Sequence, residues 1–415
     1  MNRVPLSQVC NYSDDSVRIC ELDLNNFIST DNMLPNRGGI TEAVNLPPAN
    51  SCSAFSENEI LISNIRPYFK KIWFAEFGGG CSADVLVLKT VNSKFDPKFV
   101  YYNLFQDLFF KHQMTGSKGS KMPRGDKDQI MTFLIPEFDK TYQKRVSEFL
   151  TVIDEKIALN KKINTELENL AKAIYNYWFL QFDFPNEEGT PYKTSGGEME
   201  WNGELKREIP KGWKKGKLCE VANIIMGQSP EGSSYNEDGE GIVFYQGSTD
   251  FNFRFPEVRM FTTEPTRFAK EGDILLSVRA PVGTINVANE DCCIGRGLAA
   301  LNSKNETQSY LLYLMFYFKS MFDIQNRTGT TFGSIDKETL YDLSFPKPPT
   351  ELQTRFQEIV GKYDAMILSK NRENQELIKL RDFLLPLLMN GQVIVKSEAK
   401  EQLSMAAEPQ VKYGK

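Results

Sequence analysis

One amphipathic stretch occurs twice in this chain. In residues 141–178, TYQKRVSEFLTVIDEKIALNKKINTELENLAKAIYNYW, the residues Val146, Leu150, Ile153, Ile157, Leu167, Ala171, Ile174 and Trp178 fall on alternating four- and three-residue steps. That spacing is the seam of a coiled coil, and two seam positions are polar, Asn160 and Asn164. The stretch recurs at 351–388, where the seam reads Phe356, Val360, Tyr363, Ile367, Lys370, Asn374, Leu377, Arg381, Leu384 and Leu388. Gln143, Arg145, Glu148, Asp154, Ile157, Asn164, Glu166, Leu167 and Leu170 return unchanged as Gln353, Arg355, Glu358, Asp364, Ile367, Asn374, Glu376, Leu377 and Leu380. The chain is organised as globule, helix, globule, helix.

That order constrains the geometry. The first helix leaves one globule and arrives at the next. The second buries its seam on the first only by running back. The reading is therefore an antiparallel pair, with Asn160 facing Asn374 and Asn164 facing Lys370. Buried polar seam residues weaken a coiled coil but fix its register. Each helix of this length spans about 57 Å at 1.5 Å per residue, more than the roughly 34 Å of one duplex turn.

The two globules share a plan. EILISNIRP (59–67) matches DILLSVRAP (273–281), and ADVLVLKT matches GLAALNS. The aromatic helix from 99 to 112 matches 310–322, and the loop TGSKGSKMPRGD matches TGTTFGSIDKE (328–338). The turn at 78–80 reads as a hairpin. The expected boundaries are a first globule at 1–140, a helix at 141–180, a linker at 181–212, a second globule at 213–350 and a helix at 351–392. Residues 393–415 form a polar tail expected to be disordered. The linker, Gly-, Glu- and Pro-rich, carries 7 Asp/Glu against 3 Lys/Arg over 183–210 and is expected to be exposed. Residues 56–135 carry 11 Lys/Arg against 8 Asp/Glu, so the formal charge of −5 hides local differences that matter for an anionic partner. No stretch approaches the roughly 20 apolar residues of a membrane span. The seven cysteines have neither pairing nor metal spacing, which points to reduced thiols and a cytoplasmic protein.

The second globule opens with MGQSPEGSSYNEDGEGIVFYQGSTDF (226–251), a strand–turn platform that displays amides, hydroxyls and aromatics. Gln and Asn bond adenine edges in the major groove, and Arg bonds guanine. Together, G-Q-S-P…F-Y-Q-G, D-I-L-L-S-V-R-A-P-V-G-T, G-R-G-L-A-A-L, T-G-T-T-F-G-S-I, F-P-K-P-P and L-R-D-F-L-L-P-L-L-M-N-G-Q resemble the specificity (S) subunit of type I restriction–modification enzymes. The resemblance covers nearly the whole chain, duplication included. It implies an α+β fold of two homologous target recognition domains separated by two long antiparallel coiled-coil helices. It further implies that each domain reads one half of a bipartite double-stranded DNA target. The helices would dock two methyltransferase (M) subunits, and restriction/translocase (R) subunits would join. S-adenosylmethionine, ATP and Mg are then expected on those partners, with no cofactor, metal or catalytic residue on this chain. The first globule departs from the pattern: residues 1–55 contain no G-Q-S-P and no F-Y-Q-G.

Candidate DNA-contacting residues in the second domain are Gln228, Ser229, Tyr235, Gln246, Arg279, Thr331 and Ser334. In the first they are Arg66, Lys118, Ser120, Lys121 and Arg124, with Arg66 in the segment matching the one that holds Arg279. Lysines position a duplex through phosphates; amides and arginines specify bases. Asn160, Asn164, Lys370 and Asn374 are the register residues. The absences agree with a reader lacking chemistry of its own. No G-x-x-x-x-G-K-[ST] loop is present, and the lone His112 has no partner motif. Two other readings are a self-sufficient restriction or modification enzyme and a coiled-coil scaffold with two protein-binding globules.

Overall fold

A computed structural model describes residues 2–117, 122–327 and 334–395. It divides into two compact units, one of residues 1–158 and 374–415, the other of residues 159–373.

In the first unit a four-stranded antiparallel sheet runs in the order Cys10–Tyr12, Val85–Thr90, Ile60–Ser63, Ile72–Phe74. The central strand reads as an unbroken apolar run because both of its faces are covered. Ile60 and Ile62 enter a core with Leu86, Leu88, Phe99, Phe109, Val146, Leu150 and Leu388. Leu61 points the other way, to Phe55, Trp73 and Val87. A second sheet, ordered Ser16–Arg18, Ser51–Phe55, Gly79–Cys81, Phe27–Ile28, closes that other face. Of the glycines expected to form a hairpin turn, Gly79 and Gly80 thus lie in a strand, parallel to Phe27–Ile28. A Cβ at Gly79 would stand 2.1 Å from the Asn26 carbonyl oxygen, so glycine is required there by close approach. The expected aromatic helix is two helices, Pro97–Leu104 and Asp107–Thr115, the first capped by Asp96.

The second unit repeats the first sheet and the parallel pair of the second sheet, which here has five strands. Its first sheet is ordered Ala222–Met226, Leu298–Ser303, Ile274–Ser277, Ile285–Val287. Its second contains Phe244–Tyr245 parallel to Cys292–Ile294. Ile274 and Leu276 face one core, Leu275 the other. The helix Gln308–Arg327 stands where the first unit has two.

Residues 181–212, expected to be an exposed linker, are folded. Met199–Asn202 pairs with Arg207–Pro210 as a hairpin. Phe182, Ile209 and Trp213 are buried, and Phe184 stacks between Tyr192 and Trp213 with ring centroids 4.6 and 5.4 Å away. The Gly/Glu/Pro composition masked four aromatics spaced so that each meets another only after the chain turns.

The long helices span Lys140–Tyr175, continued by a π turn over Asn176–Leu180, and Thr350–Met389. Within the first unit, Tyr142 Oη donates to the Leu388 carbonyl (2.7 Å), Arg381 pairs with Asp154 (2.7 Å), and Asn374 Nδ2 donates to the Ile157 carbonyl (3.3 Å). Within the second, Asn160 Nδ2 donates to Glu373 (3.1 Å), Glu168 and Asp364 share Arg254, and Tyr175 and Trp178 pack on Phe356. In each unit partners descend one helix as they ascend the other. Lys370 also bonds Glu373 (2.8 Å), and Asn164 is buried.

Each helix is fastened to its globule by repeated residues. Gln143 and Gln353 are fully buried and donate to the carbonyls of Phe138 and Pro348, five residues upstream. Asp154 accepts from the Tyr102 hydroxyl at 2.8 Å, and Asp364 from the Tyr313 hydroxyl at 3.0 Å. The cation differs: Arg381 from the second helix in one unit, Arg254 from a globule loop in the other. Arg254 has 3 % of its side chain exposed. Burial opposes its charge, but Asp364, Tyr313 and Glu168 outweigh that and hold its pKa above the ordinary value. Removing one member of a buried ion cluster strands the others. Arg254→Ala is therefore expected to lower the unfolding free energy by about 3–5 kcal/mol. Urea unfolding followed by tryptophan fluorescence checks this; a loss typical of a surface ion pair, below about 1 kcal/mol, would contradict it.

Candidate nucleic-acid interface

The turn Gly295-Arg296-Gly297 is the hub of the second unit. Its backbone reaches three segments far apart in sequence, and a fourth through Val278. Gln228 N–H donates to the Ile294 carbonyl (3.0 Å), and Arg296 N–H to Ser229 Oγ (3.2 Å). Gly295 N–H donates to the Tyr245 carbonyl (2.9 Å) and Gly297 N–H to the Gln246 carbonyl (3.2 Å). Val278 N–H donates to the Gly297 carbonyl (2.9 Å), and Ile335 N–H to the Val278 carbonyl (2.9 Å). An isolated bridge joins Arg279 to Ser334. Gln228, Ser229, Gln246, Arg279 and Ser334 are thereby gathered around one turn.

The glycines are needed for close approach. A Cβ on Gly227 would lie 2.2 Å from the Gly295 carbonyl oxygen, and one on Gly297 would lie 2.6 Å from that of Gln246. Gln228, Gln246, Arg279 and Ser334 are exposed, and so is Arg296. Arg296 was not among the candidates, although an arginine between two glycines is a readable signal for a side chain held out from close-packed backbone. Tyr235 has a different part. Its ring stacks on Phe244 at 4.8 Å and its hydroxyl donates to the Pro230 carbonyl (3.0 Å), so it braces the platform. Beside Gln246 a cavity of about 550 Å³ is lined by Glu237, Phe244, Gly247, Asp250 and Arg259. Arg259 is paired with the nearly buried Asp250. Both signs of charge thus stand next to an exposed amide, an arrangement able to donate to and accept from base edges.

The first unit builds the same hub from other residues. Ser82 N–H donates to the Ile28 carbonyl (2.9 Å), as Gly295 does to Tyr245. Asn64 N–H donates to the Asp84 carbonyl, and Gly125 N–H to Asn64 (2.8 and 3.0 Å), as Val278 and Ile335 do. The F-Y-Q-G position therefore exists in the first unit as Phe27-Ile28-Ser29-Thr30. It is invisible in sequence because only the strand pairing is kept.

The same matching places the two arginines within their shared segment. The bridge Ile65–Arg124 corresponds to Arg279–Ser334, so Ile65, not Arg66, stands where Arg279 stands. Arg66 falls one residue later, where the second unit has Ala280. Arg124 is half-exposed and paired with Asp84 at 3.0 Å. Lys118, Ser120, Lys121 and Thr331 lie outside the described residues, as does the tail from 396. His112 Nε2 lies 2.8 Å from the Gln129 carbonyl and 3.1 Å from Thr132 Oγ1, a local structural bond. Among the described residues no cluster of His, Cys, Asp and Glu could hold a metal, and no helix is long and apolar enough to cross a membrane.

Gly227→Ala tests the hub. The added methyl must displace backbone, which costs about 1–3 kcal/mol for overpacking. Amide exchange is expected to quicken at Gln228, Gly295, Gly297 and Val278 together, and a change confined to residues 226–229 would contradict a shared hub.

Comparison with known proteins agrees with this architecture. Residues 25–169 and 210–379 match the type I restriction modification DNA specificity domain, once for each unit. A protein of Methanocaldococcus jannaschii named for the MjaX specificity subunit of a type I restriction enzyme is 31% identical over 324 residues, covering 76% of this chain and 72% of its own length. The HindI specificity subunit of Haemophilus influenzae is 22% identical, covering 88% of this chain and 94% of that protein. The type I restriction–modification S subunit from M. genitalium shares the fold, with a TM-score of 0.55 at 17% identity over 93% of this chain and 95% of that one. The chain, with its two hubs and its duplicated helices, belongs to the type I restriction–modification DNA specificity family.

Proposed function

We propose that this chain is the sequence-reading subunit of a type I restriction–modification complex, non-catalytic by itself and cytoplasmic. Each unit reads one half of a bipartite double-stranded DNA target. The two long helices form an antiparallel coiled coil that acts as the spacer, with Asn160, Asn164, Lys370 and Asn374 setting its register. Two methyltransferase subunits dock on the helices, and restriction subunits join them. S-adenosylmethionine, ATP and Mg belong to those partners, which carry out methylation and ATP-dependent restriction.

One observation carries this reading. The same hub is built twice on the same topology, yet its exposed side chains differ: Gly-Arg-Gly in one unit, Ser82-Ala83-Asp84 in the other. A surface whose scaffold repeats while its polar display changes suits two different base sequences. The repeat supports two equivalent docking places as well. Leu170 and Leu380 are the same residue of the repeat, and both are left exposed.

Three measurements test this. Grafting residues 213–350 from a relative is expected to change one half of the methylated sequence and leave the other; alteration of both halves would refute modular reading. Leu170→Asp and Leu380→Asp are each expected to remove one of two methyltransferase subunits, read as the mass of the assembled complex. Neutralising Lys118, Lys121 and Arg124 is expected to weaken binding to target and random duplex alike. It should flatten the salt dependence by about 0.9 for each phosphate that is no longer neutralised. An unchanged slope would place the phosphate-binding surface elsewhere.

A further inference from the structure

The turn between strands Ile60–Ser63 and Ile72–Phe74 differs from its counterpart in the second unit. Eight residues, 64–71, make the connection in the first unit; seven, 278–284, make it in the second. In the second unit Arg279 to Pro281 are exposed and the tip then turns inward: Val282 is 5% exposed, and Gly283 sits against Phe322. In the first, the extra residue turns it outward. Pro67–Phe69 forms one 3-10 turn, with Tyr68 48% and Phe69 37% exposed and ring centroids 4.7 Å apart.

This turn is held in place at visible conformational cost. Arg66 and Lys70, on either side of it, have φ of 49° and 51°. Asn36 and Arg37, on the loop packed against it, have φ of 52° and 61°. Non-glycine residues seldom take this left-handed conformation. Asn36 N–H donates to the Phe69 carbonyl (2.8 Å) and Arg37 N–H to the Lys70 carbonyl (3.0 Å). Two strained pairs thus brace one another and fix the aromatics outward. Such strain persists where surrounding structure over-determines it, and it concentrates at functional positions.

The surroundings select the occupant. Arg37 and Lys70 share one carboxylate, Asp107. Lys71 Nζ donates to the Thr30 carbonyl and lies 5.8 Å from the Phe69 ring centre. Arg66 Nε is buried with no hydrogen-bond partner among the described residues. Arg37 has 11% of its side chain exposed and is turned inward onto Asp107 and the Phe105 carbonyl, which leaves Arg66, Lys70 and Lys71 as a positive rim beside the aromatic tip. The turn is also continuous with the hub, since Arg66 N–H donates to the Pro123 carbonyl (2.8 Å) and Ile65 bridges Arg124. A polyanion presenting flat apolar faces fits this rim and tip.

We propose that Tyr68 and Phe69 form an aromatic wedge that packs against a base step of duplex DNA, while Arg66 and Lys70 hold the flanking backbone. The wedge serves the first unit only, so one half of the target is read partly through its deformability. This rests on the DNA-reading role proposed above and adds to it a residue pair and a mode of contact.

The test uses the full chain with its methyltransferase partner on the target defined by methylation mapping. 2-Aminopurine placed in turn along each half-site reports unstacking. Enhanced fluorescence is expected at one step of one half-site. Tyr68→Ala and Phe69→Ala should abolish it and weaken target binding about 5- to 100-fold, as loss of a base–aromatic stack does. Tyr68→Phe should retain both. If the alanine variants bind the target with undiminished affinity and unchanged fluorescence, the wedge is refuted and DNA reading stands. If they bind DNA normally but lose the partner subunit, the turn is a protein-docking surface and the proposal is overturned. If the wild-type complex shows no sequence-specific binding, the proposal falls together with the DNA-reading role.

Discussion

Asp154 and Asp364 occupy the same position of the repeated helix; each is tied to its globule through a buried tyrosine hydroxyl and completed by a buried guanidinium, from the other helix for Asp154 and from the globule for Asp364. An apolar seam alone would let a helix rotate or slide by a turn at small cost, since one aliphatic side chain packs much like the next. A carboxylate held between a tyrosine and an arginine has a single satisfied geometry. Leaving it would strand a charge in a low-dielectric interior, a loss of several kcal/mol. The clusters contribute less to raw stability than to the angle and register at which each helix leaves its globule. The arginine comes from a different element in each unit, while aspartate and tyrosine are kept. The constraint is therefore on the carboxylate and hydroxyl, and any nearby cation completes it.

The repeated glutamines do the same work at the helix start. Gln143 bonds three backbone groups, of Phe138, Lys94 and Asp96, and Gln353 repeats the bond five residues upstream. Both were legible in the sequence as identities between copies, but their reason was not. A glutamine on a predicted amphipathic helix reads as a solvated side chain. Only the packed globule shows that it closes backbone donors and acceptors that would otherwise be buried unpaired.

The sequence carried the two-fold plan, the long helices and the apolar central strands, because each is a local pattern with its own period. It carried the hub less well. The hub is made of backbone bonds among residues 228, 245–246, 278, 294–297 and 335, and strand pairing leaves no trace in residue type. Hence Phe27-Ile28-Ser29-Thr30 is not recognisable in the sequence as the counterpart of the F-Y-Q-G segment. The folded hairpin at 199–210 was missed for a related reason. Composition averages over a window, whereas Phe182, Phe184, Tyr192 and Trp213 act as a cluster.

The two hubs show what duplication leaves free to vary. Positions whose Cβ would strike backbone, Gly227, Gly295 and Gly297, are fixed by space in the second unit. At the corresponding place the first unit closes the turn with Ser82 and Asp84, pairing Asp84 with Arg124. Side chains between these points face outward and pack against little, so their exchange costs the fold almost nothing. The wedge turn extends the same logic from side chains to backbone. One added residue between two matched strands leaves their register intact and converts an inward Val282 into an outward Tyr68. A scaffold whose core bonds are backbone to backbone can absorb such insertions at its rim. That property lets one topology present two unlike surfaces within a single chain.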